Sequence, residues 1–200
     1  MPKTVQYNKT SLQALEKQLK MRERTLPVIQ NKESALRMAV KQCKQELVDV
    51  ERDFEANMSA LSDLMALWSE FDSSIITIED VEISTQKVAG VRIPTLDNVR
   101  LTAKPYSLFN SPKWYYEGID LLQRLATIAI RREFVISKLQ LLEHTRKKTT
   151  QKVNLFEKIQ IPGYQDAIRK IKRFMEDEEN LSKSSQKILK VIKDKKEEVS

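Results

Sequence analysis

Glycine is scarce, with three in 200 residues. So few cannot furnish the tight turns of a large α/β enzyme or an all-β sandwich. A phosphate-cradling loop, which needs clustered glycines, is excluded with them. The one cysteine, Cys43, rules out an internal disulfide and a cysteine zinc cluster. The one histidine, His144, lies among Leu141, Leu142, Thr145 and Arg146. No nucleophile or carboxylate orienter accompanies it, so it reads as a structural or solvated side chain. No apolar run approaches the roughly 20 residues of a membrane helix. The N-terminal Met1-Pro-Lys-Thr-Val-Gln-Tyr lacks a signal-peptide stretch. The expectation is a soluble, cytoplasmic chain without direct membrane insertion, and with no catalytic, cofactor-binding or metal-binding residues and no cofactor.

What is present is charge and aliphatic periodicity. Lys and Arg number 35 against 28 Asp and Glu, a formal +7. That permits nucleic acid, anionic lipid or an acidic protein surface as partner and chooses none of them. Hydrophobic residues are 40%, too many for a disordered chain. Low glycine with abundant Leu, Lys, Glu and Gln is the composition of long helices and coiled coils.

From residue 10 to 72, Leu12, Leu15, Leu19, Leu26, Ile29, Leu36, Val40, Cys43, Leu47, Val50 and Phe54 recur at alternating steps of three and four. Arg22 and Glu33 occupy two positions that the alternation assigns to apolar residues. This is a heptad seam. After Phe54 it slips into Met58, Leu61, Met65 and Trp68, a stutter that locally unwinds a supercoil. Some 60 helical residues would form a rod of about 90 Å. Pro27 is expected to kink it, because it removes one ladder bond.

Between 73 and 112 the period changes to two. Ile76 to Thr85 alternates apolar and polar, Gly90 follows, and Val91-Arg-Ile-Pro94 and Val99-Arg-Leu-Thr continue. Two strands in a hairpin are expected, with their connection between Thr85 and Gly90. Pro94 confines the second strand to an edge.

From 113 to 199 the helical period returns with Ile119, Leu122, Leu125, Ile136, Leu139, Leu142, Val153, Phe156 and Ile159. Ser111-Pro112 is the expected helix start. Beyond Pro162-Gly163, strict seam spacing resumes as Ile171, Phe174, Glu178, Leu181, Ser185, Ile188, Ile192, Lys195 and Val199. A kink at Pro162 is expected, not a stop.

The fold class that follows is mainly all-α. It is a single elongated domain over 1–200, a long antiparallel two-helix coiled coil with a short β-hairpin insert at the turn end. Leu12 to Leu19 are expected to face Ile188 to Val199, and Ile188 and Ile192 to be buried against the N-terminal arm. A parallel homodimer built from either seam is the alternative. Asp177-Glu-Glu179 reads as a solvated charge run and Cys43 as seam packing. Trp114-Tyr-Tyr116 lies at the hairpin end, either as a contact surface or as packing for the hairpin. Residues 61–98 hold two basic against seven acidic residues. The basic excess therefore lies in the two helical arms, and in the C-terminal one Arg146-Lys-Lys148 with Lys152, and the lysines from Lys183 to Lys196, could contact phosphates.

Three stretches together resemble the D subunit of the V/A-type rotary ATPases. Leu15-Glu-Lys-Gln-Leu-Lys-Met-Arg-Glu-Arg-Thr-Leu-Pro-Val-Ile-Gln-Asn-Lys-Glu-Ser-Ala-Leu36 is similar to the family's N-terminal helix. Val81-Glu-Ile-Ser-Thr-Gln-Lys-Val-Ala-Gly-Val-Arg-Ile-Pro94 resembles its β segment. Lys152-Val-Asn-Leu-Phe-Glu157 with Ile161-Pro162 resembles the Arg-Val-Asn-Ala-Leu-Glu and Ile-Pro pair of its C-terminal helix. Glu33 and Ser34 stand where the family has Arg-Asp, Pro27 interrupts the first helix, and Lys152 replaces Arg. The resemblance implies a non-catalytic central rotor shaft that couples ATP hydrolysis or synthesis to proton or sodium translocation. Its implied partners are the hexamer of A and B subunits, the small F subunit of the stalk, and a collar subunit on the membrane rotor ring. It implies a place in the cytoplasm, peripheral to the membrane, and no nucleic acid. Residue patterns alone leave open a cytoplasmic coiled-coil scaffold or a basic nucleic-acid-binding helical protein.

Overall fold

The computed structural model describes residues 6–62, 75–105 and 114–197. Helix α1 spans Lys9–Ser62, strands β1 and β2 span Ile76–Val88 and Val91–Ala103, and α2 spans Tyr115–Asn154. A π-helical turn, Leu155–Gln160, leads without interruption into α3, Ile161–Glu197. The start of α1 is capped by Asn8, whose Oδ1 accepts the Ser11 N–H at 2.7 Å. The expected cap at Ser111-Pro112, the stutter residues Met65 and Trp68, and Val199 lie outside the described residues.

Neither proline ends its helix. Pro27 lies inside α1, where it leaves the Glu23 carbonyl without its ladder donor. Both residues are exposed, so solvent can serve that carbonyl. Pro162 is the second residue of α3, and in a regular α-turn its ring would crowd the Lys158 carbonyl one turn back. Lys158 lies in the π-helical turn, which closes with the Ile161 N–H donating to the Phe156 carbonyl. The wider turn makes room where an α-turn would clash.

The chain forms two compact units, residues 32–148 and residues 1–31 with 149–200. In the first, α1 and α2 run antiparallel. Successive cross-helix ion pairs ascend α1 while descending α2: Lys44 with Glu143 at 2.8 Å, Glu46 with Lys138 at 2.8 Å, and Glu51 with Arg132 at 3.3 Å. The core between them holds Leu36, Ala39, Val40, Cys43, Val135 and Leu142, with Ile93 contributed by β2. Burial of a side chain such as Leu36 or Leu142 stabilises this unit by about 1.5–3 kcal/mol.

The two strands form one antiparallel hairpin. Val88 pairs with Val91 across Ala89 and Gly90, whose φ angles are 49° and 76°. Two positive-φ residues in a two-residue loop are the requirement of a type I′ turn, whose twist matches the strands. The register shifts by one between Glu82 and Ile83 and shifts back between Ile78 and Asp80. The unpaired residues are therefore Asp97 on β2 and Glu79 on β1, two bulges that cancel. Ser84 Oγ donates to Asp97 at 2.9 Å, and Arg100 pairs with Glu82. Pro94 lies opposite Thr85 in this two-stranded sheet. Strand β2 faces the helices, while β1 leaves Ile78 and Ile83 exposed. The tip residues Val88, Ala89 and Val91 pack on the α1–α2 core, and the base closes over a second cluster of Ile75, Tyr115 and Ile119. Trp114 packs on that cluster with its ring 5.5 Å from Tyr115, so two of the three aromatics hold the hairpin base and Tyr116 is exposed.

In the second unit the start of α1 pairs with α3. Leu15 packs on Ile168 and Ile171, flanked by Leu12, Leu19, Tyr164, Ala167 and Met175. This corrects the expected register: Leu12 to Leu19 face the stretch from Tyr164 to Met175, and not Ile188 or Ile192. A heptad stripe repeats itself every seven residues, so periodicity names the face and not the offset.

Candidate functional site: the seam and its uncovered continuation

The seam places its polar interruptions where they gain partners. Arg22 reaches across from α1, its Nε donating to Gln160 Oε1 at 2.7 Å and its guanidinium lying 4.5 Å from the Tyr164 ring centre. Glu16 and Lys172 close the same interface at 2.8 Å. Glu33 is only 7% exposed and accepts from Arg37 at 3.0 Å. Cys43 is 1% exposed, and its thiol donates to the Val135 carbonyl at 3.6 Å. Burial pushes that thiol's pKa up, Lys138 opposes the shift, and Glu46 and Glu143 add to it. It is packing in a seam position, while His144 is exposed.

Of the expected seam residues, Leu15, Leu36 and Ile171 are buried, and Leu12, Leu19, Leu26, Leu47, Phe54, Val153 and Phe156 are half-buried. Phe174 is partly exposed at the edge of the interface, its ring 5.1 Å from that of Tyr7. Beyond Met175 the pattern continues but the opposing helix does not. Leu181, Ile188 and Ile192 are 70%, 61% and 49% exposed. The expected burial of Ile188 and Ile192 against the N-terminal arm is therefore corrected. The reason is length: α1 begins at Lys9, and its first turns are used up against Tyr164 to Met175.

Leu189 and Val191 are exposed beside these three, so α3 carries a bare apolar stripe across about three turns. Its flanks are charged, with Glu176 to Glu179 before it and Lys183, Lys187, Lys190 and Lys193 along it. Glu179 accepts from Lys183 at 2.7 Å, and that hydrogen bond lowers its carboxyl pKa.

A groove of about 410 Å³ runs between β2 and α2, lined by Pro94, Thr95, Asp97, Arg131, Phe134 and Lys138. Thr95 Oγ1 is buried without a hydrogen-bond partner among the described residues. No group of three or more His, Cys, Asp or Glu side chains is arranged to hold a metal among the described residues. No helix among them is long and apolar enough to cross a membrane.

Helices paired antiparallel along apolar seams, with a further apolar stripe exposed on α3, define a coiled-coil protein. The comparisons with known proteins make the class specific. A family model described as the D subunit of ATP synthase matches residues 11–191. The V-type ATP synthase D subunit of Borreliella burgdorferi is 28% identical, covering 93% of this chain and 93% of its own. The proteins of the same name from Chlamydia muridarum and Chlamydia abortus are 29% and 26% identical, covering 88% of this chain each, and 90% and 88% of their own. The chain belongs to the ATP synthase D-subunit family, whose V-type members are central-stalk subunits of the rotary ATPase.

The three stretches that carried the resemblance fall on α1, on the hairpin, and across the end of α2, the π-helical turn and the first two residues of α3. The uncovered stripe was legible as a periodicity. That it is left exposed among the described residues was not, because only the helix register decides it.

Proposed function

We propose that this chain is the non-catalytic rotor shaft that couples ATP hydrolysis or synthesis in a hexamer of A and B subunits to proton or sodium movement. The observation that carries the reading is the apolar stripe on α3, which keeps seam spacing with no helix opposite it among the described residues. It is suited to a partner that encloses the helix. The hairpin and the exposed Tyr116 lie on the other compact unit and suit the remaining stalk partners, the small F subunit and a collar subunit on the membrane rotor ring. The chain then works in the cytoplasm, peripheral to the membrane.

The coupling argument is one of symmetry. A three-fold hexamer around one asymmetric helical pair cannot hold all its sites in the same state. Each rotational position of the shaft biases the sites differently, and turnover at a site biases the shaft in return. Such a part needs a stiff seam and an uneven outer surface, with no acid–base group.

Affinity isolation of the tagged chain from its native source tests this. A nucleotide-hydrolysing hexamer should co-purify with it, while the chain purified alone should not hydrolyse ATP. Recovery with nucleic acid in place of ATPase subunits, or metal-dependent turnover that tracks with the pure chain, would overturn the reading.

A further inference from the structure

We propose that the free subunit pairs with a second copy of itself, antiparallel, through the uncovered stripe of α3. The inference concerns the chain before assembly and stands apart from the proposed coupling role. The stripe has heptad spacing, Leu181, Ser185, Ile188, Ile192, and that spacing is met by another helix and not by a flat surface. In an antiparallel pair, layers form between unlike seam positions. Setting Leu181 against Ile192 of the other copy places Ser185 against Ile188, and two-fold symmetry repeats both layers. All the exposed seam residues of the stripe are then used, and each layer contains at least one isoleucine.

Charge selects the direction. Residues 176–179 are Glu-Asp-Glu-Glu, while 190–196 hold four lysines, Lys190, Lys193, Lys195 and Lys196. In the antiparallel register, Asp177 lies opposite Lys196 and the seam residue Glu178 opposite the seam residue Lys195 of the other copy, and these two acid–base pairs outweigh the like-charge positions Glu179 with Asp194 and Lys183 with Lys190, which lie away from the seam. A parallel pair sets acid on acid and lysine on lysine, which opposes association. The two-fold axis falls between Gln186 and Lys187, and the interface is isologous and closed. A pair of this kind covers the same stripe that a partner protein needs, so the dimer and the assembled complex exclude each other. The self-paired form is one that assembly has to dissolve.

Sedimentation equilibrium of the full chain, up to about 100 μM, reads the association directly. A reversible dimer is expected. Ile188→Asp should leave a monomer with unchanged circular dichroism, because Ile188 is exposed in the single chain. Ser185→Leu, which completes the central layers, should tighten the dimer at least about tenfold. A nitroxide on Asn180→Cys reads direction, since Cys43 is buried. In the antiparallel dimer the two labels are separated by about 20 Å along the helix axis, whereas a parallel dimer sets them side by side. A monomer at all concentrations, a dimer that survives Ile188→Asp, or labels side by side would overturn the proposal. None of these outcomes bears on whether the chain co-purifies with an ATPase.

Discussion

The Cys43 thiol is enclosed by Val40 and Leu36 on its own helix and by Val135 and Leu142 opposite. Burial holds the proton on sulfur, so the folded pKa lies above the ordinary value. The stability this represents is fully present below the unfolded thiol's pKa, about 8.5, and is lost as pH rises through the raised folded value. Two outcomes follow. A disulfide reagent should react with the native protein orders of magnitude more slowly than with the chain in denaturant. Stability measured by denaturant unfolding should decline above about pH 8.5, and a Cys43→Ala variant should lose that component of the decline. A native thiol that reacts as fast as a free one would contradict the burial. Arg22 teaches the complementary lesson. A charge at a seam position resembles a defect on paper, yet its partners Gln160 and Tyr164 lie on the other helix and become visible only once the two are paired.

At the scale of the element, the hairpin tip is the place where backbone geometry decides the residue. Gly90 has φ near 76°, and a Cβ added there would meet only Lys32 Nζ, at 3.5 Å. Space is therefore adequate, and the cost of Gly90→Ala is conformational, about 1 kcal/mol or somewhat more. Thermal unfolding of the variant should show a small drop, and Gly90→Asn a smaller one, since Asn tolerates the left-handed region. Equal losses for both would mean that contact, not φ, sets the requirement. The hairpin was legible because a change from helical period to period two is a local signal, and its turn at Ala89–Gly90 falls within the expected stretch from Thr85 to Gly90. The bulges at Glu79 and Asp97 were not, since the strand pairing, and not the residue type, decides which residue is left without a partner. Pro162 was legible as a disturbance in a helix that continues. Its resolution into a π-helical turn depends on backbone hydrogen bonding that residue types do not specify. The antiparallel pairing of long helices was legible from two seams around one insert. Their register was not, because a seam looks the same from each heptad to the next.

For the molecule as a whole, the corrected register changes what the end of α3 does. If Ile188 and Ile192 were part of the internal seam, truncating both to Ala would cost several kcal/mol of stability. They are exposed, so Ile188→Ala with Ile192→Ala should leave the melting temperature of the isolated chain, measured dilute enough to be monomeric, within about a degree or two, the range of ordinary surface changes. Any loss belongs instead to the assembled machine. If the stripe is held by the hexamer, the double variant should still co-purify with the complex through contacts elsewhere, yet move fewer ions per ATP hydrolysed. The comparison variant is Lys187→Ala with Lys190→Ala, on the same turns, where single exposed charges contribute little. Ion transport per ATP in reconstituted vesicles distinguishes the two pairs. Should the lysine pair uncouple the complex while the isoleucine pair does not, charge and not the apolar stripe engages the hexamer, and the stripe must be assigned to another partner.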